Sequence, residues 1–418
     1  MRNREEVIAT QERAAEIRER GETKLFVLES DQTKKQEIMV GARMQGGINA
    51  LLPVVHRLIK DGYGISFLAD QPAEDVIKKN FPDLREIPVD PLRALDEREP
   101  TLILTGNSIN GGLGIEFYLQ ANARGDASKG IPHIPTVVVE DYPGASIRGQ
   151  EEYTVFPDVV CTFDEISRDI DIDRLKNDKS SKGLEVLKNT KFISTGSPVF
   201  DEIATETDRE STNERVRTEL GIGLDETILT FVGGIPPNDL EDLKILIENL
   251  NKIEFGEQKP KFIARIHPSI LKGRLEEYKK AYTTLIEKLN TCKIVDTMGK
   301  YTTDEIMKTT DICLSACSTE GIKAVYRGKL SLFMLLPDLG AKILKEEGGL
   351  DTLSVIESGA SIGVRRVEDM ERKLKDLLLN ANVQETLRRA GEKNHHLDGK
   401  NTERVTMVIE EILQKQTI

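Results

Sequence analysis

The chain has 418 residues, of which 31% are charged and 38% hydrophobic, and its formal net charge is −13. This length exceeds what one hydrophobic core usually serves, so we expect two domains. The acidic balance argues against a nucleic-acid partner, because phosphates demand a basic face. The sequence offers no apolar run of the length that a bilayer crossing needs, so we also expect no transmembrane segment.

The four cysteines, Cys161, Cys292, Cys313 and Cys317, are scattered along the chain. Their spacing fits neither a zinc site nor a disulfide framework, so we predict reduced thiols, no metal site and no cofactor. The first 22 residues alternate charges densely and lack the apolar core of a secretory signal. We therefore expect a cytoplasmic protein.

In the first half, short apolar runs alternate with helical patterns, which is typical of parallel sheets covered by helices. Strands are predicted at 38–42, 65–69, 102–105, 136–140, 159–163 and 191–195, and helices at 47–60, 73–81 and 114–123. We interpret residues 36–200 as a Rossmann-like domain on the acceptor side. We predict that residues 1–35 form a charged helical extension, whose KLFVL run has no predicted place in the sheet.

The second half repeats the same alternation. Strands are predicted at 228–232, 262–266, 293–295, 312–314 and 331–335, and helices at 239–250, 271–289, 303–308 and 322–327. These elements indicate a second Rossmann-like domain over 222–398, joined to the first by the polar segment 201–223. The predicted fold class is α/β, with two doubly wound domains facing across a cleft that would hold the ligand.

Residues 310–330, TDICLSACSTEGIKAVYRGKL, are the most informative stretch of the chain. A short strand runs into small hydroxyl and thiol residues, and a helix then begins. The start of a helix presents unpaired N–H groups and the positive end of its dipole, which suits a phosphate. We therefore predict that Ser318 and Thr319 bind the diphosphate of a nucleotide ligand.

Two other turns of the second half also follow predicted strands. Gly233 and Gly234 end one strand where phosphates would pass, and Arg265 and His267 end the next in the turn RIHPS. A guanidinium and an imidazole at this edge suit an anionic diphosphate. A satisfied loop histidine is the alternative for His267.

Two glycine-bearing loops follow strands in the first half. Gly46 and Gly47 begin the helix after the first strand, and Asn107 and Ser108 lie in TGNSINGGLGIE, which leads to Glu116. We predict that these four residues bind substrate. Tight packing of the turn explains the first pair equally well, and a surface turn explains the second.

Glu140 and Asp141 end a buried strand in VVVEDYPG. A carboxylate at this edge can serve as a general base for an acceptor hydroxyl, and Asp141 is the first candidate. Helix capping or a loop contact is the alternative interpretation of both acids.

The order of these segments resembles that of GT-B glycosyltransferase-like proteins, in particular non-hydrolysing UDP-GlcNAc 2-epimerases and CDP-glycerol glycerophosphotransferases. The resemblance spans residues 36–415 and rests on short motifs: TGNS, EDYPG, PDVVCTFDE, TGSPVFD, RIHPS and DICLSACST followed by GK. It implies a nucleotide-sugar or nucleotide-polyol donor, a glycan or lipid-linked acceptor, and a transferase of envelope or surface-polysaccharide synthesis. It also implies that the last helix, within 399–418, crosses back to the first domain, and it is compatible with a homodimer.

One position departs from the pattern of that superfamily. Its nucleotide-binding helix usually carries a glutamate that holds the ribose hydroxyls, whereas this chain has Lys323 in that register. Glu320, one turn earlier, is a candidate replacement, and Lys323 is a candidate phosphate ligand. Two other functions therefore stay open: 2-epimerisation of a UDP-sugar, and a non-catalytic protein that binds a glycan or a partner.

Overall fold

The structure is a computed structural model in which the chain divides into two compact units. One unit comprises Met1–Asp201, Glu347–Gly349 and Asp398–Ile418, and the other comprises Glu202–Glu346 and Leu350–Leu397. Within them the structure describes residues 23–28, 36–87, 91–106, 115–123, 125, 132–142, 156–177, 182–233, 238–266, 275–297, 300–348 and 350–416.

The first unit contains an eight-stranded sheet with the order β4-β1-β3-β2-β5-β6-β7-β8. The strands are β1 (Lys24–Val27), β2 (Glu37–Ala42), β3 (Gly64–Ala69), β4 (Arg85–Ile87), β5 (Leu102–Thr105), β6 (Thr136–Val139), β7 (Val159–Thr162) and β8 (Lys191–Ser194). The helices are α1 (Gln45–Lys60), α2 (Ala73–Asn80), α3 (Pro91–Arg98), α4 (Ile115–Ala123), α5 (Glu165–Asn177) and α6 (Lys182–Asn189). The pairs from β3 to β8 are parallel, whereas β1 is antiparallel to both β3 and β4.

The second unit contains a six-stranded parallel sheet with the order β11-β10-β9-β12-β13-β14. The strands are β9 (Ile228–Val232), β10 (Lys261–Arg265), β11 (Lys293–Ile294), β12 (Ile312–Ser315), β13 (Leu330–Met334) and β14 (Ile362–Val364). The helices are α7 (Asp201–Ala204), α8 (Arg209–Glu219), α9 (Asn238–Leu250), α10 (Leu275–Ile286), α11 (Thr303–Thr309), α12 (Thr319–Tyr326), α13 (Gly340–Gly348), α14 (Ser354–Glu357), α15 (Met370–Leu379) and α16 (Ala381–Asn394). The first residue of α7 and the last two of α13 belong to the first unit. The last helix, α17 (Asn401–Gln416), belongs to the first unit.

Both sheets are buried on two faces, as the apolar strands predict. In β2, Ile38 and Val40 pack into one hydrophobic cluster while Met39, between them, packs into another. Helix α17 adds Val405, Ile409 and Leu413 to the first of these clusters. These three residues lie on one helical face at i, i+4 and i+8, so the amphipathic pattern of the last helix explains its docking.

The start of α17 is anchored within its own unit. The Asp201 carboxylate accepts hydrogen bonds from the backbone N–H groups of Asn401 (2.9 Å) and Thr402 (2.7 Å). A carboxylate at the start of a helix accepts from backbone N–H groups that have no partner within the helix, and its negative charge complements the helix dipole.

The segment 202–219 is tied to the second unit by buried cations. Arg327, almost fully buried, pairs with Glu206 at 2.5 Å, and Arg217 pairs with Asp311 at 2.8 Å. The polar composition that suggests a connecting segment thus serves ion pairs within this unit.

The predicted parallel architecture is confirmed, and every predicted strand is present with its ends shifted by at most one residue. The KLFVL run supplies β1, an inner strand between β3 and β4. Helix α5 escapes prediction because its fully buried residues are Ser167, Asp171 and Leu175, so the buried stripe is not apolar. None of the helices in the described part of the chain has the length and apolar character needed to cross a membrane.

Candidate functional site

The strand order of the first unit reverses direction between β2 and β5. Strand β2 leads through α1 to β3 on one side, and β5 leads through α4 to β6 on the other. Gly41 pairs with Thr105, so the loops that follow these two strands begin side by side. Ligands of open α/β sheets bind at such a switch point, beyond the carboxyl ends of the strands.

The glycines of these two loops are in close contact. A Cβ at Gly106 would lie 2.7 Å from Cα of Gly47, and a Cβ at Gly46 would lie 2.7 Å from Oδ2 of Asp141. Three of the predicted site residues, Gly46, Gly47 and Asp141, therefore come together. The predicted substrate ligands Asn107 and Ser108 lie outside the described residues.

The two predicted acids of β6 have different surroundings. Glu140 is buried, and its Oε2 accepts a hydrogen bond from the backbone N–H of Phe163 at 3.2 Å. Asp141 is partly buried and lies against the first turn of α1, which carries no acidic residue of its own. The positive end of the α1 dipole therefore favours a charged Asp141 carboxylate.

Glu116, on the first turn of α4, adds a further carboxyl group at this edge. It is 2% exposed, its Oε1 accepts a hydrogen bond from the Arg43 backbone N–H at 2.8 Å, and its Oε2 has no hydrogen-bond partner among the described residues. Burial raises the pKa of Glu116 to about 7, and repulsion from the Asp70 carboxylate acts in the same direction. This group therefore changes charge near neutral pH.

The second unit has its own switch point, between β9 and β12. Strand β9 leads through α9 to β10, and β12 leads through α12 to β13 on the opposite side. Val232 pairs with Ser315, so Gly233 and the loop 316–318 begin next to each other. The predicted diphosphate residues Gly233, Ser318 and Thr319 thus share one edge of this sheet.

Ser318 is the N-cap of α12. Its Oγ accepts a hydrogen bond from the Glu320 backbone N–H at 3.3 Å, and its own N–H donates to Ser315 Oγ at 3.0 Å. A Cβ at Gly321 would lie 2.7 Å from Phe333 Cζ, so α12 packs tightly on β13. The helix start is therefore fixed at the switch point, with Ser318 and Thr319 partly exposed.

Glu320 and Lys323 form an ion pair, with Lys323 Nζ 2.7 Å from Glu320 Oε1. The Lys323 side chain is 30% exposed and the Glu320 side chain 18%. The sequence predicts Glu320 as a ribose ligand or Lys323 as a phosphate ligand. In the structure the two side chains bind each other.

Gly233 lies next to a buried acidic cluster that the sequence did not predict. A Cβ at Gly233 would lie 2.5 Å from the Tyr282 hydroxyl, which donates to Asp239 Oδ2 at 2.7 Å; Tyr278 donates to Asp239 Oδ1 at 3.0 Å. Asp242, one turn later, is fully buried, and no hydrogen-bond partner lies near it in the part of the chain that the structure describes; burial raises its pKa to about 7. Both acids lie in the first turns of α9.

Arg265 is engaged by the polypeptide itself. Its Nη2 donates to the backbone oxygen of Tyr301 at 3.0 Å, and burial lowers the pKa of the guanidinium. Its charge is close to the edge of β10, but this hydrogen bond holds the side chain toward the start of α11. The predicted ligands Gly234 and His267 lie outside the described residues.

Solved structures resemble the chain over most of its length. The UDP-GlcNAc 2-epimerase from Neisseria meningitidis bound to UDP-GlcNAc is 12% identical, with a TM-score of 0.57 over 90% of this chain and 100% of that one. The Methanocaldococcus jannaschii UDP-GlcNAc 2-epimerase in complex with UDP-GlcNAc and UDP is 15% identical (TM-score 0.55; 90% and 99% covered). The MurG structure from Acinetobacter baumannii is also 15% identical (TM-score 0.53; 90% and 99% covered). No protein-family model and no curated protein sequence matches the chain.

The chain has the GT-B fold. The resemblance inferred from the short motifs is thereby confirmed at the level of fold. In this GT-B chain, each unit has a switch point where glycine-bearing loops meet, so each unit has its own candidate subsite.

The GT-B chain also carries functional candidates with a weak sequence signal. Asp239 and Asp242 look like ordinary acids at a helix start, which complement the dipole. Glu116 has the same appearance on α4. Only their burial, at the loops that follow β9 and β5, distinguishes them.

Proposed function

We propose that this protein binds a nucleotide-activated sugar or polyol and transfers the sugar or polyol phosphate to an acceptor in envelope or surface-polysaccharide synthesis. The observation that carries the proposal is the start of α12 at the β9/β12 switch point. Ser318 caps the helix there, next to Gly233. The GT-B fold supports the proposal, since structures of that fold include proteins solved with UDP-GlcNAc.

On the donor side, the diphosphate would lie at Ser318 and Thr319, where backbone N–H groups and the helix dipole favour an anion. Lys323 would add a positive charge once phosphate competes with Glu320 for it. Gly233 would admit the phosphates because it has no side chain. Gly234 follows it directly, and Arg265 and His267 come at the end of the neighbouring strand, where Arg265 pairs with Val232. The acids at the start of α9 would disfavour an anion there, so the diphosphate would lie at α12.

On the acceptor side, Gly46 and Gly47 with Asn107 and Ser108 would bind the acceptor, and Asp141 would act as the general base. Asp141 would take the proton of the attacking hydroxyl while the new bond forms and the bond to the leaving nucleotide breaks. The nucleotide leaves with the electron pair of the broken bond. Glu140 is the second candidate for this proton.

Isothermal titration calorimetry with UDP, UDP-GlcNAc, CDP and CDP-glycerol tests the donor side. We expect micromolar binding of at least one of them to the wild-type protein and a clear loss in Ser318→Ala. An absence of heat with all four ligands would remove the basis of the proposal. A structure soaked with UDP and CDP would then locate any ligand that binds.

The second candidate function is 2-epimerisation of UDP-GlcNAc. It is favoured by the carboxyl groups of Asp70, Glu116, Glu140 and Asp141 at the carboxyl edge of the first sheet, since epimerisation needs acid–base groups but no acceptor. Incubation with UDP-GlcNAc alone, followed by product analysis, distinguishes the two reactions. An epimer formed without acceptor would favour this candidate over transfer.

The Glu320–Lys323 ion pair favours a third possibility, a non-catalytic protein that binds a glycan or a partner, because it neutralises a charge that a donor would need. The double variant Asp141→Asn, His267→Ala tests this function. Survival of the biological activity in that variant would favour binding without catalysis.

A further inference from the structure

Glu116 occupies an unusual position for a carboxyl group. It is nearly sealed from solvent; one oxygen accepts from the Arg43 N–H, and no described residue donates a hydrogen bond to the other. A buried carboxyl with an unpaired oxygen costs stability, so a residue kept there for packing alone would do better as an apolar side chain.

The backbone of Arg43 is held at both its N–H and its C=O. Its N–H donates to Glu116, and its C=O accepts a hydrogen bond from the Ala73 N–H at 3.1 Å. Arg43 is followed by Met44, the N-cap of α1, and then by Gly46 and Gly47. The Glu116 carboxyl thereby connects α4 to the loop that follows β2.

This loop lies where the first unit would bind its ligand. Gly47 packs against Gly106, where an added Cβ would lie 2.7 Å from Cα of Gly47. Gly46 packs against the Asp141 carboxylate, and a Cβ added to Gly46 would lie 2.7 Å from Oδ2. Small displacements of the Arg43 backbone would therefore move Gly46 and Gly47, the two predicted substrate residues. Gly46 is also the neighbour of the predicted base, Asp141. Fixing such a loop before binding lowers the entropic cost of ligand association.

We propose that Glu116 is a positioning residue: its carboxyl group holds residues 43–47, the turn after β2 and the first residues of α1, in the geometry that binds the ligand of the first unit. This inference rests on the proposed function. The raised pKa of Glu116 supports this positioning role. It means that burial disfavours the charged carboxyl group, so stability is not the reason for a glutamate at this position.

The charged groups that face Glu116 are Arg43 from the loop after β2 and Asp70 from the end of β3. Asp141, from the end of β6, lies at the neighbouring Gly46. Replacing the Glu116 carboxyl group with an apolar side chain would relieve its repulsion from Asp70 while removing the acceptor of the Arg43 N–H. Stability and ligand binding should therefore respond in opposite directions.

The test compares Glu116→Gln and Glu116→Met with the wild-type protein at pH 8. The amide of Glu116→Gln retains an acceptor for the Arg43 N–H, so UDP-GlcNAc affinity should stay within about twofold of wild type. Glu116→Met should bind about tenfold more weakly, with no fall in melting temperature, and should show faster hydrogen exchange in peptides covering residues 43–48. Glu165→Met, an exposed first-turn glutamate of α5, is the control and should leave binding and exchange unchanged.

Unchanged affinity in Glu116→Met, or a fall in its melting temperature that parallels the loss of binding, would overturn the inference. If the wild-type protein does not bind UDP-GlcNAc, the proposed function loses its support while the exchange measurement still decides the positioning role. Unchanged exchange over residues 43–48 in Glu116→Met would then reject it.

Discussion

Gly106 and Gly47 touch backbone to backbone, because a Cβ on Gly106 would lie 2.7 Å from Cα of Gly47. The contact joins the loops that follow β5 and β2 at the switch point of the first sheet. Gly106 must therefore be a glycine because the backbone of Gly47 occupies the space of a side chain. Tight packing and ligand binding, which the sequence presents as alternatives, are compatible at these turns.

Substitution Gly106→Ala should destabilise the first unit by about 1–3 kcal/mol, since backbone atoms must move apart to admit the methyl group. Chemical denaturation measures this change. Gly391→Ala in α16 is the control: its Cβ would have its nearest contact at 3.4 Å, and alanine favours a helix. Equal stability of Gly106→Ala and wild type would contradict the close contact.

Asp242 should make stability depend on pH. Its pKa is raised by burial to about 7 in the folded protein, from an ordinary 3.8, so its unfavourable ionisation is absent below pH 4 and grows as the pH rises to 7. This difference in pKa corresponds to about 4 kcal/mol, and we expect Asp242→Asn to gain about 2–4 kcal/mol at pH 8 and little at pH 4. Urea unfolding at both pH values checks this, with the exposed Asp225→Asn as control. A gain of equal size at both pH values would show that ionisation is not the cause.

Two N-caps of the second unit separate helix stability from ligand binding. Ser318 caps α12, and Thr302 caps α11 in a capping box with Glu305. Alanine at either position should cost about 1 kcal/mol. Only Ser318→Ala should weaken UDP binding, by about tenfold in calorimetry, since only this helix starts at the switch point. Equal UDP affinity of the two variants would argue against phosphate at Ser318.

The Glu320–Lys323 pair should give changes of opposite sign in UDP affinity. Glu320→Gln releases the ammonium group of Lys323 for phosphate, and we expect about threefold tighter binding. Lys323→Gln removes the cation and should weaken binding about tenfold. Both effects should shrink at 0.5 M salt because the pair is partly exposed. Weaker binding in Glu320→Gln would instead indicate that Glu320 itself contacts the nucleotide.

The sequence predicts the strands around both candidate sites because each ends in a local signal. The apolar run of β12 stops at hydroxyl and thiol residues, and that of β2 stops before two glycines. The run KLFVL has the same local character as a strand. Its place beside β3 depends on a pairing some forty residues away in sequence, such as Leu25 with Leu68, so no local pattern could assign it.

The sequence alone determined most of the strands of both halves, several of the helices between them and the glycine or serine turns that end the inner strands, because periodicity and turn chemistry are properties of neighbouring residues. Only the tertiary structure decided the strand order, and hence which turns meet at a switch point. It also decided that Glu116 and Asp242 are buried and titrate near pH 7. Desolvation and repulsion come from groups brought close by folding, such as Asp70 beside Glu116, and sequence distance does not measure either.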